Sequence, residues 1–142
     1  MTFELKGIDM TTVTAGSATA VVKQAYDAFL RQDVPGILAL VADSVDWELV
    51  GSTKLPYAGR RRDHKGVADF FAAVAQSDEM HEFEPREFIE SGDNVAVLGW
   101  ERATARDTGH AFESEWAHIF TVKNGKITRW RGFFNTAARY GV

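Results

Sequence analysis

Two residues have the type and setting to do chemistry. Glu48 sits in the alternating run Ser44–Val50. A carboxyl group enclosed by apolar side chains has its proton affinity raised toward neutrality, which suits it to move a carbon-bound proton. The run places Val45, Trp47 and Leu49 on one face and Asp46, Glu48 and Val50 on the other. Alternation alone leaves open which face meets a pocket and which meets water. Asp46 shares the Glu48 face and is a reserve, since paired carboxyls split their proton affinities and can share acid and base roles. His118 is the second residue. It lies in an otherwise apolar strand, in register with Trp116, Phe120 and Val122. An imidazole there donates a hydrogen bond or a proton near neutral pH, or serves as a core histidine satisfied by a neighbour.

The elements that must position them are rich in aromatic residues. Trp47, Phe70, Phe71, Trp100, Trp116, Phe120, Trp130, Phe133 and Phe134 read as a wall for a flat apolar ligand, or as core and interface. Arg129 and Arg131 alternate with Trp130 and read as outer-face charges. Arg60-Arg61-Arg62 forms a short basic loop, either solvated or a lid that steers anions. The histidines His64, His81, His110 and His118 have no metal-ligand spacing, and there is no cysteine to help them, so no metal is expected. No phosphate-binding glycine loop and no Gly-x-Ser-x-Gly elbow occurs.

The chain has 142 residues, within the range of one domain. Its 45% hydrophobic and 25% charged composition is that of a globular protein. A net charge of −4 excludes the basic field that non-specific nucleic-acid binding needs. No run reaches the ~18 apolar residues of a membrane span. The absence of cysteine fits the reducing cytoplasm. Residues 1–16 have no apolar core of a secretory signal and read as a loose extension before a domain at 17–142.

Val22, Ala25, Tyr26, Phe29 and Leu30 recur at helical spacing after a capping Ser17 or Thr19. Asp33 before Val34-Pro35 starts a short second helix. Ser44–Val50 is a strand, Gly51–Asp63 a loop, and His64–Gln76 a third helix with Val67, Phe70, Phe71 and Val74 on one side. Four β runs follow, broken at Ser91–Asn94, Asp107–Gly109 and Asn124-Gly125, the last a strong hairpin signal. The order α-α-β-α-β-β-β-β argues α+β, with helices packed on a curved antiparallel sheet around an apolar pocket.

From Thr19 to Ala138 the chain resembles the nuclear-transport-factor-2-like superfamily, in its SnoaL-like and ketosteroid-isomerase-like branch. The resemblance rests on Val21–Tyr26, Asp33–Ile37, Ala39–Asp43, Trp47-Glu48, Pro56–Gly59, Gly66-Val67 before Phe70-Phe71, and His118–Val122 closing on Asn124–Ile127. It implies a cone-shaped α+β barrel with a pocket open at one end and a homodimer through the outer sheet face. It aligns Glu48 with the isomerase general base and His118 with, or next to, an oxyanion-hole acid. The first-helix oxyanion tyrosine aligns with Ala25, leaving Tyr26 about 100° away around the helix. A supporting tyrosine aligns with Phe71. Both departures argue against steroid isomerisation itself. Asn135 stands where relatives carry Asp, and orients a ligand or caps a strand end. The implied function is cofactor-free acid–base chemistry, as isomerase, cyclase or lyase, on a small hydrophobic carbonyl compound. The alternative is a non-catalytic ligand-binding or dimerisation module.

Overall fold

Three side chains start the three longer-range helical turns of the chain by accepting a hydrogen bond from the first turn. Ser17 accepts from the Ala20 N–H at 3.0 Å and opens α1 (Ala18–Leu30). Asp33 accepts from Gly36 at 3.0 Å and opens α2 (Val34–Leu38), with Pro35 in the first turn where no N–H is needed. Asp63 accepts from Gly66 at 2.8 Å and opens α3 (His64–Ser77). A computed structural model describes residues 17–142; the expected N-terminal extension lies outside the described residues.

The strands are β1 (Val41–Leu49), β2 (Gly59–Arg61), β3 (Asp78–Ser91), β4 (Asn94–Ala105), β5 (Ala111–Lys123) and β6 (Lys126–Phe134). A five-residue helix, α4 (Thr136–Tyr140), follows. One sheet takes the order β2-β1-β6-β5-β4-β3. The α+β architecture is the expected one, but the sheet is mixed: β1 runs parallel to β6, while the other neighbours are antiparallel. The expected loop 51–63 contributes β2, a three-residue edge strand too short to leave a periodic signal.

The hairpin between β5 and β6 turns on Asn124 (φ 53°) and Gly125 (φ 76°), the backbone of a two-residue turn that favours Asn-Gly. Register shifts in β3 between Met80 and Glu82 and between Pro85 and Glu87 bend that strand, as extra unpaired residues do. The curved sheet stays unclosed. Helix α1 lies against β3, β4 and β5, and α3 lies against β1 and β3. The apolar faces of these helices, Val22 and Val67 among them, are fully buried against the concave side.

Candidate active site

Alternation along the sheet decides what faces the helices. In β1, Val45, Trp47 and Leu49 are buried, so Asp46 and Glu48 point to the convex side. In β5, Trp116 and Phe120 are buried on the concave side, and His118 lies between them in the same register. In β4 the buried row is Val95, Val97, Gly99, Glu101, Ala103 and Ala105, so a carboxyl group enters the interior in an otherwise small and apolar row.

These residues enclose a cavity of about 90 Å³ between the sheet and helices α1 and α3. Its lining is mostly aromatic and includes Trp47, Phe71, Trp116, His118 and Phe120. The rings form a continuous wall. Trp47 stacks on Trp130 at 4.6 Å, and Trp116 stacks on His118 at 4.0 Å and on Phe83 at 4.8 Å. Two glycines make room for the indoles. A Cβ on Gly99 would lie 2.2 Å from Trp116, and one on Gly132 would lie 2.4 Å from Trp130.

Tyr26 also lines the cavity, which corrects the expectation that it points away. Its hydroxyl lies 2.7 Å from His118 Nδ1. Burial pushes the His118 imidazole down to about 3, so the ring is neutral at working pH. Burial raises the Tyr26 phenol well above its usual value, so it keeps its proton. The arrangement that satisfies both groups has Tyr26 donate to Nδ1, which leaves the His118 proton on Nε2. In that arrangement the neutral ring has Nε2–H left to donate.

A second polar cluster sits several residues further along the strands. The Asp78 carboxylate, at the start of β3 and almost fully buried, accepts from the Tyr57 hydroxyl at 2.5 Å and from Arg139 Nε at 2.9 Å. Arg139 Nη2 lies 2.9 Å from the same carboxylate oxygen and donates to the Ser77 carbonyl at 3.3 Å. Asp78, Tyr57 and Glu101 all line the cavity. Glu101 differs from Asp78 in having no hydrogen-bond or ion-pair partner among the described residues. Its burial, with the charge of Asp78 second, pushes the carboxyl up to about 8. Burial likewise raises the Tyr57 phenol far above its usual value.

The two carboxylates singled out from sequence do not reach this cavity. Glu48 lies on the convex face between Arg60, 3.3 Å away, and Arg131, 3.5 Å away. Asp46 accepts from Arg131 Nη2 at 2.7 Å, and that bond holds its carboxyl below the usual range. Strand alternation sends both away from the apolar interior, so neither can act there as an acid or base. Arg129 and Arg131 are outer-face charges, as expected. Trp100 is also on the convex side, with the Arg86 guanidinium 5.2 Å over its ring. Asn135 occupies the N-cap of α4 without a side-chain cap bond, and its backbone N–H donates to Ser114 Oγ at 2.9 Å. It lines an outer groove of about 490 Å³ instead of the cavity. Trp116, Phe133 and Phe134 border both spaces.

Glu101, Asp78, Tyr57 and Arg139 were missed. Glu101 left a readable trace, a lone acid at the buried phase of β4. The other three lie at an element start, in a loop and in a five-residue helix, where no periodicity operates. Among the described residues no three His, Cys, Asp or Glu side chains converge as a metal site. No helix among them is long and apolar enough to cross a membrane.

Helices packed on a curved sheet around an aromatic cavity are the α+β fold that the resemblance implied, although the sheet is mixed and unclosed. Residues 22–130 match the SnoaL-like domain, and the chain belongs to that family. Solved structures agree. An NTF2-like protein from Burkholderia xenovorans LB400 is 30% identical, with a TM-score of 0.79 over 87% of this chain and 93% of that one. An NTF2-like protein of unknown function from Burkholderia pseudomallei K96243 is 32% identical, with a TM-score of 0.79 over 87% and 94%. TerC, co-crystallised with polyporic acid, is 31% identical, with a TM-score of 0.79 over 87% and 95%. No protein of curated function matches the sequence.

Proposed function

We propose that the protein is a small-molecule enzyme performing cofactor-free acid–base chemistry (an isomerisation, cyclisation or elimination) on a small, flat, hydrophobic carbonyl compound. The observation that carries this reading is the Glu101 carboxyl, enclosed in an aromatic cavity and bound to nothing. An acid whose proton affinity lies near neutral pH both gives and takes a proton efficiently. Glu101 moves the proton in this reading. The Nε2–H of His118 donates to a carbonyl oxygen, a role that suits a ring kept neutral by burial.

The spacing constrains the ligand. His118 pairs with Val97, four residues from Glu101 on β4, an offset of ~13 Å along the strand. The two groups therefore address opposite ends of one conjugated ligand. The enclosed space of about 90 Å³ is small for that, since ligand pockets commonly run ~300–1,000 Å³. Phe133, which is 41% exposed, and Phe134 separate the cavity from the outer groove, and their displacement would lengthen it. The crystallisation of the relative TerC with polyporic acid supports a small organic ligand. The lack of cysteine supports a reducing location, the cytoplasm.

A thermal-shift screen tests the reading with steroids, aromatic polyketide-like compounds, enones, epoxides, hydroxy acids and polyporic acid. A ligand at 100 times its Kd adds ~2.7 kcal/mol. The expected result is a rise in Tm with a flat carbonyl compound that disappears in Ala25→Phe, which fills the cavity. A rise that persists in Ala25→Phe, or none across the panel, contradicts it.

We further infer a homodimer through the convex face. Ile89, Leu98, Ile119 and Phe133 are exposed there, on adjacent strands. Light scattering should give a dimer mass for the wild type and a monomer mass for Leu98→Lys/Ile119→Lys. A monomeric wild type would remove this inference.

A further inference from the structure

Two carboxyl groups share the floor of the cavity, and their surroundings differ in kind. Asp78 is fully committed: a phenol and two guanidinium nitrogens converge on it. Glu101, on the adjacent strand, is uncommitted. The cation that fixes Asp78 comes from the far end of the chain, since Arg139 belongs to α4. Its side chain is completely buried, stacked 5.9 Å from the Tyr57 ring and 5.1 Å from the Tyr140 ring. Asp107 approaches it at 3.6 Å from the exposed side.

Core packing alone does not call for this cluster. A buried ion pair usually contributes little net stability against apolar residues of the same size, because desolvation offsets the Coulomb attraction. Arg139 also keeps one buried nitrogen, Nη1, without a partner among the described residues. An arrangement with such costs, placed beside a free acid in the cavity, is explained by what it does to that acid.

We propose that Arg139 and Tyr57 hold Asp78 as a permanent anion, making Asp78 a positioning residue, so that of the two carboxyl groups in the cavity only Glu101 exchanges a proton. This rests on the reading of Glu101 as the proton-transfer group. It gives α4 a part in the working site: the helix carries the countercharge that fixes which acid titrates. The ionisable groups that share the cavity with Glu101 are Asp78 from β3, Tyr57 from the loop before β2, and Tyr26 and His118 from α1 and β5, further along; Arg139 from α4 lies behind Asp78. Tyr26 and His118 are neutral. Burial is the larger cause that keeps Glu101 protonated at neutral pH, and the like charge of the Asp78 anion adds to it.

The test is a ¹³C-carboxyl NMR titration of the full chain without ligand, with signals assigned by Glu101→Gln and Asp78→Asn. Needing no substrate, it is independent of whether turnover is ever found. In the wild type the step near 8 should belong to Glu101, with no second cavity carboxyl taking part in it. In Arg139→Gln a second cavity carboxyl should join that step, and Arg139→Lys should restore the single step. Tyr57→Phe leaves the guanidinium in place and covers the case of an unfolded Arg139→Gln. It should move Asp78 in the same direction by less. A wild type in which Asp78 takes the proton while Glu101 is ionised overturns the proposal. So does an Asp78 signal indifferent to both substitutions.

Discussion

Replacing Glu101 with glutamine removes a buried acid and leaves a neutral group of nearly the same shape. Burial and the Asp78 charge raise the carboxyl from its ordinary 4.5 to about 8. Between those values the folded chain holds a proton that the unfolded chain has released. Protonated burial is compatible with folding, so the wild type carries no penalty below about pH 4.5. Stability then falls as pH rises through the window, and the loss levels off above about pH 8. At ~1.4 kcal/mol per unit, the full loss is on the order of 5 kcal/mol, with ~3 kcal/mol already lost at pH 7. The variant has no such group. Urea unfolding of both proteins at a series of pH values gives the difference directly. The advantage of the variant should grow with pH by several kcal/mol, with a slope near ~1.4 kcal/mol per unit in mid-window. A difference that stays flat from acid to alkaline pH would refute the claim that Glu101 is buried and uncommitted.

Other expectations follow from the same geometry. His118 has the opposite sign: burial lowers it from 6.5 to about 3, so between those values the unfolded chain takes up a proton that the folded chain does not, and stability falls as pH drops. His118→Gln should flatten the acid limb of the stability profile, and an unchanged limb would contradict the burial. Tyr26→Phe removes the hydroxyl at His118 Nδ1 and should cost ~1–3 kcal/mol in urea unfolding, the usual effect of orphaning a buried polar atom. Gly99→Ala drives a Cβ to within 2.2 Å of Trp116 and 2.6 Å of the Glu84 carbonyl, and should lower stability by ~1–3 kcal/mol or more. Glu48→Gln touches only convex-face ion pairs and should change stability by less than ~1 kcal/mol.

How much of this was legible from residues alone varies with the range of the interactions. Helix α1 announced itself through Val22, Tyr26 and Phe29 at helical spacing, and the last hairpin through Asn124-Gly125, because both signals are local. The aromatic wall was legible as composition, and Trp47, Phe71, Trp116, His118 and Phe120 do share one cavity. The side of β1 was left open. Alternation separates Trp47 from Glu48 without saying which faces inward, and the Arg60 and Arg131 partners that fix Glu48 outside come from other strands. Glu101 carried a weak signal, an acid in the phase of Val95, Val97 and Ala103. The Asp78–Arg139 contact joins residues 61 apart in the chain, and the parallel pairing of β1 with β6 is equally distant in sequence. No window of sequence contains either.

The central claim is that proton transfer occurs inside the cavity, at Glu101. Deuterium uptake from D₂O into the α-carbon of 2-tetralone, followed by proton NMR, tests it most directly. The account predicts exchange above the buffer rate with the wild type and with Glu48→Gln, and a fall toward the buffer rate with Glu101→Gln. Exchange that survives Glu101→Gln and is lost in Glu48→Gln would contradict it.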